Sequence, residues 1–410
     1  MLIYLTSKEY PGRTADHNFV RNMARAFTRI MGRDFLLVVA GGGEVELKGI
    51  NYLNLELKAK RGRALFYFGW ILKFVFEKRK EKITFFSNDS YLLLILIFWR
   101  KVLRFKYEIV SDWHQMWGDF RDKAIARGSD LMITTSERLK KLLVERTGIA
   151  AEKVVVARGG VRLSNFLRQS RESSMKSGQF SIFNFQKNEL RKKLGLPEGN
   201  FLVGYAGGFK TMGIEKGVDC LIEAINKIKK SKIKDQNDNG KFKNREQKKQ
   251  ISFNWRKGGM DVKLVLVGGK EGEIEEYKKL AEREGVADNI IFRGWQTEEV
   301  LFEYERAMDV LTIPYPDEEH FRDWGFPMKV YEYMAAGRPI IYSDLEIIRE
   351  VLGDCATAFR AGSAENLAEK IKEMFTVGRN EAERRAEAAR EKVEDYTWEN
   401  RARKILDFVR

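Results

Sequence analysis

Short apolar runs alternate with segments of helical period along this chain, and this alternation is the feature that most constrains its fold. The runs are rich in Ile, Val and Leu, which is typical of strands buried on both faces of a sheet. Repeated strand–helix units favour a largely parallel sheet covered by helices, so the pattern predicts an α/β fold. In the first half of the chain, strands are predicted at residues 1–6, 35–40, 82–87, 107–111, 131–134 and 153–157.

The alternation stops near the middle of the chain and then begins again. Residues 166–190 lose the period and gain polar side chains, so we interpret them as a linker. A chain of 410 residues is expected to form more than one domain, at roughly 150 residues each. We therefore predict Rossmann-like domains over residues 1–165 and 191–395, followed by a helix at 396–410 that returns to the first domain. In the second domain, strands are predicted at residues 201–206, 262–267, 289–292, 309–313 and 339–343.

One stretch of the second half does not follow the α/β pattern. Residues 230–260 contain few apolar side chains and many charges, as in the runs at 234–240 and 246–250. Such a composition cannot bury enough apolar surface to offset the entropy of ordering the chain. We predict a disordered surface insertion, with a nucleic-acid-binding arm as the alternative.

Three features of the sequence favour a cytoplasmic location. The opening residues 1–5 lack the basic start and cleavage site of a secretory signal and resemble a first strand. The longest apolar run, residues 91–99, is nine residues long, whereas a membrane-spanning helix needs about 20. Cys220 and Cys355 lie in different halves of the chain and form no disulfide framework.

The positive charge of the chain is concentrated in its first part. Residues 1–165 contain 30 Lys and Arg against 17 Asp and Glu, an excess of 13 out of a net +15. Segments 61–80 and 92–104 combine aromatic and aliphatic residues with flanking basic residues. They predict peripheral binding to an anionic membrane surface; alternatively, both helices only cover the sheet of the first domain. A phosphorylated acceptor or a solvated basic surface also fits this charge, and nucleic acid is the less favoured partner.

The segment over residues 326–344 is the most informative motif. Pro327 and Gly337 are placed as if to begin and end a short helix that leads into a buried strand. The N-terminus of such a helix, at Pro327, Met328 and Lys329, suits a diphosphate. A carboxylate one turn further, Glu332, can accept hydrogen bonds from two ribose hydroxyls. These residues are predicted to bind a nucleotide.

A second motif lies just after the strand predicted at residues 201–206. Gly207 and Gly208 allow backbone N–H groups to approach a phosphate, and Lys216 lies at the start of the following helix. We predict Lys216 as a ligand of a diphosphate and Lys210 as a second one. Solvated loop lysines are the alternative.

Residues 329–344 resemble the donor-site signature of glycosyltransferase family 4, which comprises retaining enzymes of the GT-B fold. The resemblance continues through residues 263–269, 292–295 and 309–316 and covers nearly the whole chain. It implies two Rossmann-like domains that face each other across a cleft, with the nucleotide sugar bound by the C-terminal domain. It also places Gly268 and Gly294 in the nucleotide pocket.

The sequence departs from the family pattern at one position. The family often has a first glutamate eight residues before Glu332, where this chain has Trp324 with Asp323 beside it. In the family that glutamate approaches the transferred sugar, so the resemblance leaves sugar recognition open here. Asp323 is a candidate substitute with a catalytic role; the alternative is an exposed loop acid.

In the first domain, a strand ends in Asp112-Trp113-His114, which resembles the acceptor-side motif of the family. A side chain at the carboxyl end of a parallel strand points into the crevice where such sheets bind ligands. His114 is therefore predicted as a catalytic-site residue, with a buried structural histidine as the alternative. Asp112, together with Gly12 of the loop after the first strand, is predicted on the acceptor side.

No acidic metal-binding motif follows a strand, and the spacing of His17, His114 and His320 fits no metal site. The sequence therefore predicts a metal-independent, cofactor-free donor site. The resemblance implies retaining transfer from a nucleotide sugar, with a UDP- or GDP-sugar expected as donor and a glycan, lipid-linked or small-molecule acceptor. Lys216 would stabilise the departing diphosphate. The alternatives are a non-catalytic GT-B protein that binds nucleotide sugars or polyanions, and a nucleotide-sugar epimerase.

Overall fold

The chain divides into two compact units, each with its own sheet. The first comprises Met1–Gly160, Asp323–Met328 and Asp395–Arg410, and the second comprises Val161–Arg322 and Lys329–Glu394. The computed structural model describes residues 1–12, 14–42, 47–57, 63–163, 179–237, 261–374 and 379–409.

The first unit is built on a seven-stranded sheet in which every pair of neighbours is parallel. Its strand order is β3-β2-β1-β4-β5-β6-β7. Strands β2 and β3 are added on one side of β1 and strands β4 to β7 on the other, as in doubly wound folds. The strands are β1 (Leu2–Leu5), β2 (Phe35–Val39), β3 (Tyr52–Asn54), β4 (Thr84–Ser87), β5 (Glu108–Trp113), β6 (Leu131–Thr134) and β7 (Val154–Val156).

Helices cover both faces of this sheet because successive strand residues point to opposite sides. Leu2 and Tyr4 belong to one core cluster, whereas Ile3 and Leu5 belong to the other. The helices of the first unit are α1 (Ala15–Met31), α2 (Arg63–Glu77), α3 (Ser90–Leu103), α4 (Phe120–Gly128), α5 (Glu137–Thr147) and a last helix, Trp398–Leu406.

The last helix packs against α1, as its apolar stripe requires. Trp398, Ala402 and Ile405 recur every three or four residues and lie in the same cluster as Phe19 of α1. The Trp398 and Phe19 rings meet edge to face with their centroids 5.1 Å apart. Thr397 caps the helix by accepting a hydrogen bond from the backbone N–H of Asn400.

The second unit has a six-stranded sheet, also parallel throughout, in the order β12-β11-β8-β13-β14-β15. A small antiparallel hairpin, β9 (Lys210–Thr211) with β10 (Ile214–Glu215), follows its first strand. The strands of the sheet are β8 (Phe201–Ala206), β11 (Val262–Val267), β12 (Ile290–Arg293), β13 (Val310–Ile313), β14 (Ile340–Ser343) and β15 (Thr357–Phe359).

Eight α-helices are described in the second unit. Helices α7 and α12 pack against one another and contribute Leu221, Ile225, Leu367 and Ile371 to the cluster that covers one face of the sheet. The helices are α6 (Gln179–Leu194), α7 (Val218–Asn237), α8 (Glu271–Arg283), α9 (Glu298–Ala307), α10 (Lys329–Ala336), α11 (Glu346–Leu352), α12 (Ala364–Met374) and α13 (Arg379–Lys392), so that the last helix of the chain is α14.

The structure confirms the α/β fold, and it adds elements that the sequence patterns missed. The short strands β3 and β15 were not predicted, nor was the β9–β10 hairpin. The second half of the predicted linker 166–190 is helical in α6, and residues 164–178 lie outside the described residues. The predicted insertion 230–260 begins within α7, and its residues 238–260 also lie outside the described part.

Candidate functional site

Three glycines lie at the ends of neighbouring strands in the second unit and bring their backbones close together. Gly207 follows β8 and donates its N–H to the Val267 carbonyl, and Gly268 follows β11 and donates to the Arg293 carbonyl, both at 2.8 Å. Their φ angles are +120° and +115°, and a Cβ on Gly268 would stand 2.4 Å from the Gly207 carbonyl oxygen. Only glycine fits there. Gly294, at the end of β12, is exposed and has open space around its Cα.

Lys216 is held beside this turn by the hairpin that precedes α7. Its backbone N–H donates to the Phe209 carbonyl at 3.0 Å, and its Nζ lies 3.9 Å from the position of a Cβ on Gly208. Burial lowers the pKa of Lys216, and Glu273 only partly opposes this effect. Among the described residues, the Lys216 ammonium has no hydrogen bond or ion pair. It is a cation close to a glycine turn and available to an anion.

Lys210 differs from Lys216 although both belong to the same motif. Its Nζ lies 2.8 Å from Glu215 and 2.8 Å from Glu276, and the hydrogen bonds to these carboxylates raise its pKa. These two carboxylates neutralise Lys210, so the structure does not leave it free as Lys216 is. Its predicted role as a second diphosphate ligand stays a prediction that would require these ion pairs to open.

Helix α10 begins at Lys329, two residues after Pro327, so Pro327 precedes the first turn instead of lying in it. The Lys329 side chain is buried, and its Nζ lies 3.6 Å from the centroid of the Tyr205 ring without a hydrogen-bond partner in the described chain. Burial, reinforced by the nearby Lys216, lowers its pKa well below the usual range. The hydroxyl of Tyr333, one turn along α10, accepts from the Ala206 N–H at 2.8 Å and fixes the helix beside β8.

Glu332 lies on the first turn of the same helix and is partly buried. Burial raises its pKa to about 7; Glu298 adds to this effect, and Lys329 opposes it. A carboxyl group in this position can accept two hydrogen bonds when it is ionised. The structure thus places Lys216, Lys329 and Glu332 within one electrostatically coupled group at the carboxyl end of the second sheet.

A further carboxyl group in this region, that of Glu305 on α9, was not predicted from the sequence. Only 2% of Glu305 is exposed, and its Oε1 has no hydrogen-bond partner among the described residues. Burial, followed by the proximity of Glu332, raises its pKa well above the usual range. One signal was present in the sequence: Glu305 lies three residues after the buried Phe302, on the apolar face of a helix.

In the first unit, Asp112 and His114 lie at the carboxyl end of β5, as predicted. Asp112 is completely buried, and Arg401 of α14 donates to its Oδ1 at 2.6 Å. Burial alone would raise the pKa of Asp112, but Arg401 and His114 hold it below its usual value. The His114 side chain keeps 27% of its surface exposed, with its ring 4.2 Å from that of Phe19. Asp112 therefore cannot contact an acceptor directly, and His114 can.

The loop after β1 is fixed by several side chains of the first unit. A Cβ on Gly12 would overlap the ring of His17, at 1.9 Å, so this predicted acceptor-side glycine is required for packing. Glu9 pairs with Arg63 of α2, and Lys8 pairs with Asp16 of α1. The loop is thereby tied to both helices.

Asp323 is buried, with 3% of its surface exposed, so the alternative of an exposed loop acid is excluded. Arg138 of α5 donates to its Oδ1 through Nε and approaches it through Nη2, each at 2.8 Å. Met328 packs against the core of the first unit. The segment Asp323–Met328 thus makes structural contacts within the first unit. The roles predicted for Asp323, Pro327 and Met328 remain predictions.

Helices α2 and α3 each cover the sheet with one face and expose apolar residues on another. Tyr67, Ile71 and Val75 of α2 are buried, whereas Leu65, Phe66 and Phe76 are 76%, 61% and 58% exposed. On α3, Tyr91 and Val102 are 63% and 55% exposed. Within the described ranges, no helix is both long and apolar enough to cross a membrane, and no group of three or more His, Cys, Asp or Glu is suited to hold a metal ion.

Part of the sequence matches known glycosyltransferases. Residues 247–376 match the family Glycosyl transferases group 1. A phosphatidyl-myo-inositol mannosyltransferase of Mycobacterium leprae is 31% identical over 150 residues, which are 36% of this chain. The match spans 37% of the length of that relative. Both matches confirm the resemblance to family 4 glycosyltransferases.

The whole chain is similar in fold to solved GT-B proteins. The Anabaena protein Alr3699/HepE in complex with UDP superposes with a TM-score of 0.71 at 16% identity, over 100% of this chain and 99% of that one. A sucrose-phosphate synthase of Thermosynechococcus elongatus gives a TM-score of 0.70 at 16% identity, over 100% and 98%. HepE has also been solved in complex with UDP-glucose, with a TM-score of 0.69 at 15% identity over 100% and 98%. The GT-B fold is thereby confirmed.

Proposed function

We propose that this chain, which has the GT-B fold and resembles family 4 glycosyltransferases, is a retaining glycosyltransferase whose second unit binds a nucleotide sugar. The observation that carries the proposal is the group formed by Lys216, Lys329 and Glu332 beside the Gly207–Gly208 turn. It combines one buried lysine, Lys329, and one partly buried lysine, Lys216, with a carboxyl group at the carboxyl end of a parallel sheet, where such folds bind ligands. The UDP and UDP-glucose bound to HepE, a protein of the same fold, support a nucleotide-sugar donor.

In this proposal each group of the site has one task. Negative charge develops on the leaving diphosphate in the transition state. Lys216 and the N–H groups after β8 stabilise this charge and so lower the barrier to transfer. Glu332 accepts hydrogen bonds from the two hydroxyls of the ribose. A UDP- or GDP-sugar fits these tasks equally, because neither the diphosphate nor the ribose distinguishes the base.

We further propose that transfer requires no metal ion. Lys216 and Lys329 would supply the positive charge that a divalent cation provides in other enzymes. The acceptor is then bound by the first unit, with His114 as the side chain that reaches it. The basic character of this unit and the exposed apolar residues of α2 and α3 favour a glycan or lipid-linked acceptor at the inner face of a membrane.

The test is release of nucleoside diphosphate from a panel of UDP- and GDP-sugars in the presence of lipid and glycan acceptors, with and without excess EDTA. We expect one donor to give release that depends on an acceptor and persists in EDTA. A GT-B protein that only binds nucleotide sugars would protect the donor without release, and an epimerase would convert it without an acceptor. Loss of activity in EDTA that Mg²⁺ or Mn²⁺ restores would contradict metal independence.

A further inference from the structure

The C-terminal helix α14 places a buried arginine against the carboxyl end of strand β5 in the first sheet. The Arg401 and Asp112 side chains are both 0% exposed, and Arg401 Nη2 donates to Asp112 Oδ1 at 2.6 Å. These residues are 289 positions apart in the sequence, so the pair forms only when the end of the chain returns to this sheet. A buried carboxylate without such a partner would be strongly destabilising.

The two oxygens of Asp112 have different neighbours. Oδ1 is bound by Arg401, whereas Oδ2 lies 3.2 Å from Nε2 of His114, at an angle outside that of a hydrogen bond. A pair that served only to neutralise two buried charges would be expected to use both oxygens in a bidentate fork. Here the second oxygen, Oδ2, faces His114 and not Arg401.

The same helix also supports the histidine ring through an aromatic contact. Trp398, three residues before Arg401 and hence on the same helix face, packs edge to face against Phe19. The Phe19 ring in turn lies 4.2 Å from the ring of His114, and the Arg401 guanidinium lies 5.0 Å from the Phe19 centroid. One face of α14 thus supports His114 through both a carboxylate and a ring.

We propose that Arg401 is a positioning residue for His114: through Asp112 it fixes the ring with the proton on Nε2 and Nδ1 available to the acceptor. This inference rests on the proposed function, in which His114 is the acceptor-side residue of the first unit. A carboxylate that faces one ring nitrogen determines which tautomer a histidine adopts and where its other nitrogen points. Arg401 itself, being completely buried, touches no substrate.

Other buried polar atoms adjoin the pair. The Tyr4 hydroxyl, which interacts electrostatically with both Asp112 and Arg401, and Arg401 Nε and Nη1 are buried and have no hydrogen-bond partners in the described chain. Unsatisfied donors of this kind are costly in a protein interior. The Asp112–Arg401 pair thus belongs to a larger group of buried polar side chains.

The first experiment measures the tautomer of His114 directly. The chain has only three histidines, so the ring ¹⁵N resonances of His114 can be assigned by comparison with His114→Gln. Wild type is expected to show a protonated Nε2 and an unprotonated Nδ1, and Arg401→Met a mixture of tautomers. A protonated Nδ1 in wild type, or the wild-type pattern in Arg401→Met, would overturn the inference. This readout needs no substrate, so it remains informative even if the proposed function fails.

The second experiment uses activity with the donor and acceptor found for the wild type. Arg401→Met is expected to lower kcat by about tenfold or more while donor KM stays unchanged, and Arg401→Lys is expected to recover most of the loss. The control is Arg403→Met, an exposed arginine two residues further on the same helix, which should match wild type. If Arg401→Met fails to fold, Asp112→Asn replaces it and should show the same tautomer mixture and loss of kcat. Equal kcat and pH profiles in the Arg401 and Arg403 variants would refute a positioning role.

Discussion

The carboxyl ends of the two sheets differ in whether their buried ionisable groups are paired. In the first unit, the buried carboxylate of Asp112 is paired with Arg401, and one half-exposed histidine faces outward. In the second unit, Lys329 Nζ and Glu305 Oε1 are both buried and lack hydrogen-bond partners in the described chain. The Asp112–Arg401 pair is neutral overall, so His114 beside it suits an uncharged acceptor hydroxyl. The second unit contains ionisable groups without partners, and a ligand such as a nucleoside diphosphate could pair with them.

The pKa shifts in the second unit also reflect buried ionisable groups that lack partners. Burial lowers the pKa of Lys329 and raises that of Glu332 to about 7, so both groups are less charged in the free protein than they would be in water. A diphosphate would favour the charged form of the lysine, and ribose hydroxyls would favour the charged form of the glutamate. Under the proposed function, donor binding would therefore be coupled to ionisation in this unit.

The two lysines of the glycine-turn motif give the largest expected effect. Lys216→Ala removes a cation without a carboxylate partner, and kcat for transfer should fall by about a hundredfold, as for loss of one transition-state donor. Lys210→Ala is the matched control, because Glu215 and Glu276 already neutralise Lys210, and it should stay within a few fold of wild type. Steady-state kinetics of both variants would decide; equal losses would remove the distinction between the two lysines.

Glu332→Gln gives the next largest effect. The substitution keeps the shape of the side chain but removes a charged acceptor, so donor affinity should fall by about 1.5–3 kcal/mol. Calorimetric titration with the donor measures this loss, and circular dichroism checks that the fold is retained. A folded variant with wild-type donor affinity would show that Glu332 does not bind the ribose.

The raised pKa of Glu332 predicts that donor affinity and protein stability both depend on pH. Since the ionised carboxylate binds the hydroxyls, donor affinity should rise as pH increases toward the Glu332 pKa of about 7 and then level off, with no such rise in Glu332→Gln. The stability of the free protein should change in the opposite direction. A glutamate whose pKa is raised by folding holds its proton more tightly in the folded state, so its contribution to the free energy of unfolding is lost as pH rises through 7. Titrations and denaturant unfolding between pH 5 and 8 test both signs.

The smallest expected effect concerns the exposed aromatic residues of the first unit. The protein should co-sediment with anionic liposomes at low salt, bind neutral ones poorly and dissociate as salt increases. Phe66→Ser on α2 should weaken this binding about tenfold. Phe408→Ser, at a phenylalanine outside α2 and α3 that is 51% exposed against 61% for Phe66, should not. Equal partitioning of wild type to both lipids, or to neither, would leave a soluble acceptor as the better proposal.

The sequence predicted the long elements well because their signals are local. The strands at residues 201–206 and 262–267 are continuous apolar runs, and their bounds match β8 and β11. Strands β3 and β15 have three residues each, too few to show a period, and they form because a neighbouring strand supplies the hydrogen bonds. The hairpin β9–β10 is only two residues per strand and was missed for the same reason.

The candidate site was predicted in part. Glu332, Lys329 and Lys216 were predicted because they lie in contiguous motifs whose helix starts and glycine turns can be recognised from spacing, and the structure brings these three side chains together. The role of Arg401 could not be predicted, because its partner Asp112 is distant in sequence and nothing in the sequence of a polar helix indicates that an arginine is buried. For Lys210, the sequence indicated a cation but not the two carboxylates that the hairpin and α8 bring to it.

The central claim is that the second unit, and not the first, binds the nucleotide. Isothermal titration calorimetry with UDP, GDP and ADP, repeated on Lys216→Ala and His114→Ala, tests it most directly. We expect one nucleoside diphosphate to bind wild type and His114→Ala with the same affinity, and Lys216→Ala at least about tenfold more weakly, the size of one lost charge-assisted bond. Equal weakening in both variants, unchanged affinity in Lys216→Ala, or no binding of any of the three nucleotides to wild type would contradict the claim.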